Sequence, residues 1–338
     1  MLHPRTLTLV ALAPLATLAF TAPASAGIPV TVTVTGTVEY NQITAPPLGL
    51  AKKDDVATMT FLLDSNDFVN SASFPTRGYR ILQSSFTLTM GAATIGLKNP
   101  FPAGQTPYFV IRDNDPAVDG FLVSTSYDFP LGVPLNQNGA FGTFIDNFYV
   151  TYGGSTLPSL DVLDALGTYA FGGLSVYNWT IDDGPVNPLS IAFSQITIEC
   201  GPKDSVIYCQ GKVNSQGCTP GLSTDAGSPS MSGGPWNVTA SNLLNNKFGI
   251  FFYGAAAQST PFQGGTLCVQ LPVVRTPTQS SGGNPPPSDC SGEMVLDVTT
   301  ALPAALAPSF VYIQAWSRDP LAPFGTSLSN AAEILLCP

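Results

Sequence analysis

Histidine is almost missing from this sequence: the single one is His3, within the first 26 residues. With that segment set aside, no Ser-His-Asp or Cys-His nucleophile system, histidine general base or histidine-ligated zinc or copper site can be built. Charge is scarce as well. Only 10% of the residues are charged, and 12 basic against 22 acidic residues leave a formal net charge of −10. That balance lacks the phosphate-neutralising patch of a nucleic-acid binder and suits an anionic membrane poorly. No segment after residue 26 has the length and apolarity of a membrane helix, so no transmembrane anchor is expected. Cysteine is absent before Cys200, and the six from Cys200 onward contain no C-x-x-C spacing, which argues against a cysteine metal site.

Residues 1–26 read as a secretory signal peptide. Arg5 lies in a short basic start, Leu7 to Phe20 is largely apolar, and Ala24-Ser25-Ala26 is a small-residue cleavage site. The apolar run is short for a membrane span and Pro14 interrupts it. An exported protein is therefore expected: extracellular, cell-surface or periplasmic. In such a compartment Cys200, Cys209, Cys218, Cys268, Cys290 and Cys337 are read as disulfides. Sequence leaves the connectivity open; proximity along the chain favours Cys209 with Cys218 and Cys268 with Cys290, the second pair closing a proline- and glycine-rich surface loop.

Two modules follow the signal, residues 27–200 and 201–338. Ile28 to Tyr40 alternates valine with threonine for much of its length, the period of a half-buried strand. Further strands are expected at Val56–Leu63, Ile81–Met90, Tyr108–Ile111, Gly120–Tyr127, Phe144–Tyr152, Leu174–Ile181 and Leu189–Ile198, with turn signals such as Asp183-Gly184-Pro185 between them. Leu160–Leu166 could form one helical turn or another strand. In the second module, strands are expected at Trp236–Asn242, Phe248–Gly254, Glu293–Thr299, Phe310–Trp316 and Ala332–Cys337. Regular strands without a long amphipathic helix indicate an all-β protein of two tandem β-sandwich, jelly-roll-like domains, the second supported by disulfides.

Candidate sites are few. Asp113, Asp115 and Asp119 lie between two strands, and Asp64, Asn66 and Asp67 follow a strand. Oxygen ligands converging on a loop are what calcium needs, so calcium is the one cofactor considered, at Asp113, Asp115 and Asp119. Neither cluster follows the EF-hand pattern, and Asp and Asn also stabilise turns without any metal. Paired carboxylates could serve glycoside hydrolysis, with Asp113, Asp115, Asp119, Asp146 and Asp182 as candidates. Tyr169, Tyr177 and Trp179 are among aromatics that could stack on sugars, although most aromatics in such a fold are core. Asn178-Trp179-Thr180 and Asn237-Val238-Thr239 match the glycosylation sequon within strand-like segments.

The second module carries the series Lys212-Val-Asn-Ser-x-Gly-Cys218, Ala240-Ser-Asn242 through Asn246-Lys247, Pro261-Phe-Gln-Gly-Gly-Thr-Leu-Cys268, Arg275-Thr-Pro, Ser281-Gly-Gly-Asn-Pro-Pro-Pro-x-Asp-Cys290-Ser-Gly and Trp316-x-Arg318-Asp319, ending in Cys337-Pro338. Over nearly all of 205–338 this resembles a C-terminal module recurring in exported proteins of planctomycete-type bacteria. The resemblance implies export and a cysteine framework, and no activity. Residues 27–200 resemble the β-sandwich ectodomains of exosortase-sorted (PEP-CTERM-like) proteins, without the Pro-Glu-Pro motif, membrane helix and basic tail that such sorting uses.

The reading that follows is a non-catalytic surface or extracellular-matrix protein. Two alternatives stand beside it: a carbohydrate-binding or adhesion module with a cell-surface glycan or envelope protein as partner, possible calcium dependence included, and a carboxylate-dependent glycoside hydrolase.

Overall fold

A computed structural model describes residues 27–115 and 118–338; the signal-peptide segment lies outside the described residues. The protein is all-β. The first sheet uses β1 (Pro29–Asn41), β2 (Val56–Asn70), β3 (Thr76–Ile81), β4 (Thr87–Met90), β5 (Ala93–Ile95), β6 (Tyr108–Arg112), β7 (Val118–Ser124), β8 (Val133–Asn138), β9 (Thr143–Gly153), β10 (Gly167–Ala170), β11 (Leu174–Asp182) and β12 (Leu189–Cys200). The remaining sheets use β13 (Val206–Tyr208), β14 (Gly221–Thr224), β15 (Asn237–Leu243), β16 (Phe248–Gly254), β17 (Ala257–Phe262), β18 (Gly265–Val269), β19 (Val274–Arg275), β20 (Gln279–Ser280), β21 (Gly292–Asp297), β22 (Ser309–Arg318) and β23 (Thr326–Leu336).

The jelly-roll expectation fails for residues 27–200. The hydrogen-bonded order β1-β12-β11-β9-β7-β6-β3-β2 returns to β1, so eight antiparallel strands close a barrel. Strand alternation could not separate the two architectures, because both place every second side chain in the core. The alternation itself holds: Val30, Val32, Val34 and Val38 are buried and the threonines between them face outward. The β1–β12 register breaks between Thr35 and Gly36, where a Cβ on Gly36 would lie 2.3 Å from the Ala192 carbonyl oxygen. Glycine admits that approach.

One end of the barrel is sealed by residues 153–166, with Leu157, Val162 and Ala165 in the core. Tyr79, fully buried, donates its hydroxyl to the Leu160 carbonyl at 2.9 Å and accepts from the Val162 N–H at 2.9 Å. The Leu160–Leu166 stretch, open between helix and strand in the sequence, is a turn, with the Ala165 N–H on the Asp161 carbonyl.

In the second module a sheet ordered β13-β23-β22-β16-β19, with β20 on β16, faces the three-stranded sheet β14-β15-β21. Val238, Leu243, Met294 and Leu296 from the small sheet pack with Phe251, Ile313 and Ile334 from the large one. A separate hairpin, β17–β18, covers the outer face of the large sheet, where Phe252, Leu267 and Val269 form a second cluster.

All six cysteines are paired, and the proximity-based pairing is wrong. The bonds are Cys200–Cys337, Cys209–Cys268 and Cys218–Cys290, with Cα separations of 5.5, 6.3 and 6.4 Å. Cys268 sits on the hairpin above the large sheet, beside the end of β13, while Cys290 reaches the segment around Asn214. The 268–290 loop is thus anchored at each end to a different part of the fold. Cys200–Cys337 joins the last barrel strand to the end of the last strand of the second module, where Ile28, Leu335 and Phe310 pack around it. Among the described residues no helix is long and apolar enough to cross a membrane.

Disulfide mapping of the oxidised chain should recover these three pairs. Replacing Cys200 and Cys337 by serine should lower the unfolding free energy by up to about 5 kcal/mol, the chain-entropy value for a loop of this size. A loss below about 1 kcal/mol on that scale would mean that packing alone holds the two modules together.

Candidate functional site

Of the carboxylates named from sequence, all but Asp146 are engaged with the protein itself. Asp119 is fully buried; one oxygen accepts from the Asn114 N–H at 2.8 Å, and the other accepts from the Thr156 N–H and from the Leu157 N–H at 2.6 Å. It ties two loops together at the sealed end of the barrel. Asp115 lies 3.3 Å from the Arg112 guanidinium, and Asp113 accepts from the Asn114 amide at 2.6 Å. Burial, then the neighbouring Asp119 charge, raises the Asp113 pKa. In the other cluster Asp64 accepts from the Asn66 N–H at 2.8 Å and Asp67 pairs with Arg80. Among the described residues, no three His, Cys, Asp or Glu side chains form a group that could hold a metal ion.

Asp146 and Asp182 do not face each other across a cleft. Asp182 accepts from the Asn147 amide. Asp146 shares its side of β9 with the core residues Phe144, Phe148 and Val150, is sealed inside the barrel, and neither of its oxygens has a hydrogen-bond partner. Burial alone pushes its pKa up to about 7.

The site best built for a ligand lies in the second module, where the β17–β18 hairpin leaves a groove of about 490 Å³ against the outer face of the large sheet. Phe252, Phe262, Leu271 and Trp316 are among its apolar lining, and Gln258, Thr260, Gln263 and Arg275 are its polar positions; no carboxylate lines it. This is the size and character of a small-ligand site.

Its geometry is fixed by buried polar contacts. Gln263 and Gly264 make the two-residue hairpin turn with φ of 47° and 75°, between the paired Phe262 and Gly265. Both residues take the left-handed conformation that such turns demand. The Gln263 side chain accepts from the Trp316 indole N–H at 3.0 Å, holding the ring against the hairpin. Its carbonyl accepts from the Lys212 ammonium at 2.9 Å, and the same ammonium donates to the Pro323 and Thr326 carbonyls at 2.6 Å each. All three ammonium donors are used. Burial lowers the Lys212 pKa, and the Asp319 charge opposes that shift.

Gln314, fully buried, completes the frame. Its amide donates to the Thr266 and Ser329 carbonyls at 3.0 and 2.8 Å, and its oxygen accepts from the Cys268 N–H at 3.0 Å. With Cys209–Cys268 these bonds lock β18 onto the sheet.

Sequence reasoning singled out none of the groove residues as a ligand site. The signal was present: Pro261-Phe-Gln-Gly-Gly, Arg275-Thr-Pro and Trp316 all fall within the segments that carry the C-terminal resemblance. The aromatics named for sugar stacking include a real stack. Tyr177 and Trp179 have ring centroids 4.1 Å apart and planes at 27°, with Phe171 stacked beyond Trp179. They lie where β11 meets β12 only at Thr180–Ser190 and Ile181–Leu189, a thin place in the barrel wall. Phe171 and Trp179 pack on the core there, and Tyr177 is 52% exposed.

No family model matches the chain, and neither the curated proteins nor the solved structures contain a match to it.

Replacing Lys212 by methionine strands three carbonyls and should cost about 3 kcal/mol in chemical denaturation, while the disulfides still form. Asp146 generates a pH dependence. Its folded pKa lies above the ordinary 3.8, so the unfolded chain ionises first and stability falls between about pH 4 and pH 7, by roughly 4 kcal/mol in all. Asp146→Asn removes that slope: denaturation midpoints of variant and parent should be similar at pH 4, with the variant clearly ahead at pH 8.

Proposed function

We propose that this is an exported, non-catalytic binding protein of the cell surface or extracellular matrix, and that it holds its ligand in the groove between the β17–β18 hairpin and the large sheet. The observation that carries the reading is the groove's composition: three aromatic rings, amide side chains and one guanidinium, with no carboxylate and no nucleophile–base pair. Such a lining supports recognition and supplies no general acid–base chemistry. The dispersal of the barrel's candidate carboxylates counts against glycoside hydrolysis, which needs two carboxyl groups facing one substrate. Three disulfides fit an oxidising compartment. Export by the N-terminal signal, the two-domain division near residue 200, and the resemblance of 205–338 to an exported C-terminal module point the same way.

The exposed Tyr177 face favours a second reading, in which the barrel also engages a glycan by stacking. The two readings separate by mutation.

The test is co-sedimentation of the oxidised chain with polysaccharides and cell-envelope preparations, with and without chelator. Phe262→Ala should lower retention about tenfold if the groove is the site, in keeping with loss of a central aromatic contact. Tyr177→Ala should do so only if the barrel stack takes part. Turnover of a polysaccharide by the purified chain would overturn the non-catalytic reading.

A further inference from the structure

The groove has one charge. Arg275 lines it from β19, and no ion pair or hydrogen bond engages its side chain among the described residues. Arg275 is exposed, so its guanidinium is open to a ligand from solvent. Its immediate setting is apolar: Phe252 is its cross-strand partner, and Leu271, Phe262 and Trp316 form the surrounding wall. The Trp316 indole N–H is already committed to Gln263, so this ring offers a ligand its apolar surface and no donor.

The geometry points to a small amphiphilic anion as the groove's ligand: a carboxylate, or a comparable oxyanion, carried on an aliphatic or aromatic body. The body would lie against Phe252, Phe262 and Trp316, where each methylene taken from water contributes about 0.8 kcal/mol. The head would meet Arg275, whose planar fork donates two parallel N–H bonds to a carboxylate. Because no Asp or Glu lines the groove, no carboxylate there repels an anion or pairs with a cation. The apolar walls and single guanidinium match this class better than a neutral sugar, whose many hydroxyls would find few partners beyond Gln258, Thr260 and Gln263. This inference rests on the groove being the ligand site, as proposed above.

Calorimetric titration of the oxidised, secreted chain with octanoate, 1-octanol and octyltrimethylammonium tests it, since the three share a body and differ in the head. Octanoate should bind one per chain and about tenfold more tightly than the alcohol, with the cation weakest. Arg275→Gln should bring octanoate down to the alcohol and leave the alcohol unchanged; Phe262→Ala should weaken both. Equal binding of all three, no binding, or discrimination that survives Arg275→Gln would overturn the proposal. The envelope assay separates the two levels of the argument. If Phe262→Ala abolishes envelope retention while octanoate neither binds nor competes, the groove is the site but the anionic amphiphile is refuted. If octanoate binds through Arg275 and no envelope component is retained, the anion assignment stands and the surface-binding function falls.

Discussion

Every N–H and C=O along a strand edge has to find a partner, and over residues 27–200 that requirement is met by closing the sheet on itself. The closing strand is β1, bonded to β2 along one edge and to β12 along the other. Its four buried valines face the interior between those two neighbours. Other features of the barrel follow from closure. A closed end needs a seal, supplied by the turn around Leu160 and Val162, and that turn needs fixed donors and acceptors, supplied by Tyr79 and Asp119. Asp119, one of the residues named as a calcium ligand, serves this joinery.

The second module solves the same problem differently. Its sheets are open, and covalent and charged ties hold what hydrogen-bonded closure does not. Cys209–Cys268, the Gln314 amide and the Lys212 ammonium fasten the β17–β18 hairpin over the large sheet. A hairpin fastened at one end and along one strand, but standing off the sheet elsewhere, leaves a groove. Rigidity there favours binding, because a wall that is already ordered loses little entropy when a ligand arrives. The barrel interior, by contrast, is filled by aromatic side chains such as Phe61, Phe109 and Phe121.

Parts of this were legible and parts were not, for reasons that can be named. β1 was plain because valine and threonine alternate across a half-buried strand. Thr76–Ile81 was not, since Thr-Arg-Gly-Tyr-Arg-Ile keeps no clean alternation: Gly78 lies under Tyr127 and Tyr108, which cover the outer face of the barrel and bury both sides of the strand. The expected strand Ile81–Met90 is broken by a turn at Gln83–Ser85 for the same kind of reason, a local contact in which the Ser85 hydroxyl accepts the Leu62 N–H.

The sequence by itself determined the class of protein: all-β, poor in charge, without histidine chemistry, and with cysteines confined to one part. These are properties of composition and of period-two patterning, and they survive any rearrangement of the strands. Only the tertiary structure decided that the first sheet closes, which cysteines meet, that Asp146 is buried without a hydrogen-bond partner, and that Phe252, Phe262, Arg275 and Trp316 share one groove. Each of these depends on which segments pack across from one another, and alternation specifies the face a side chain takes without specifying its partner.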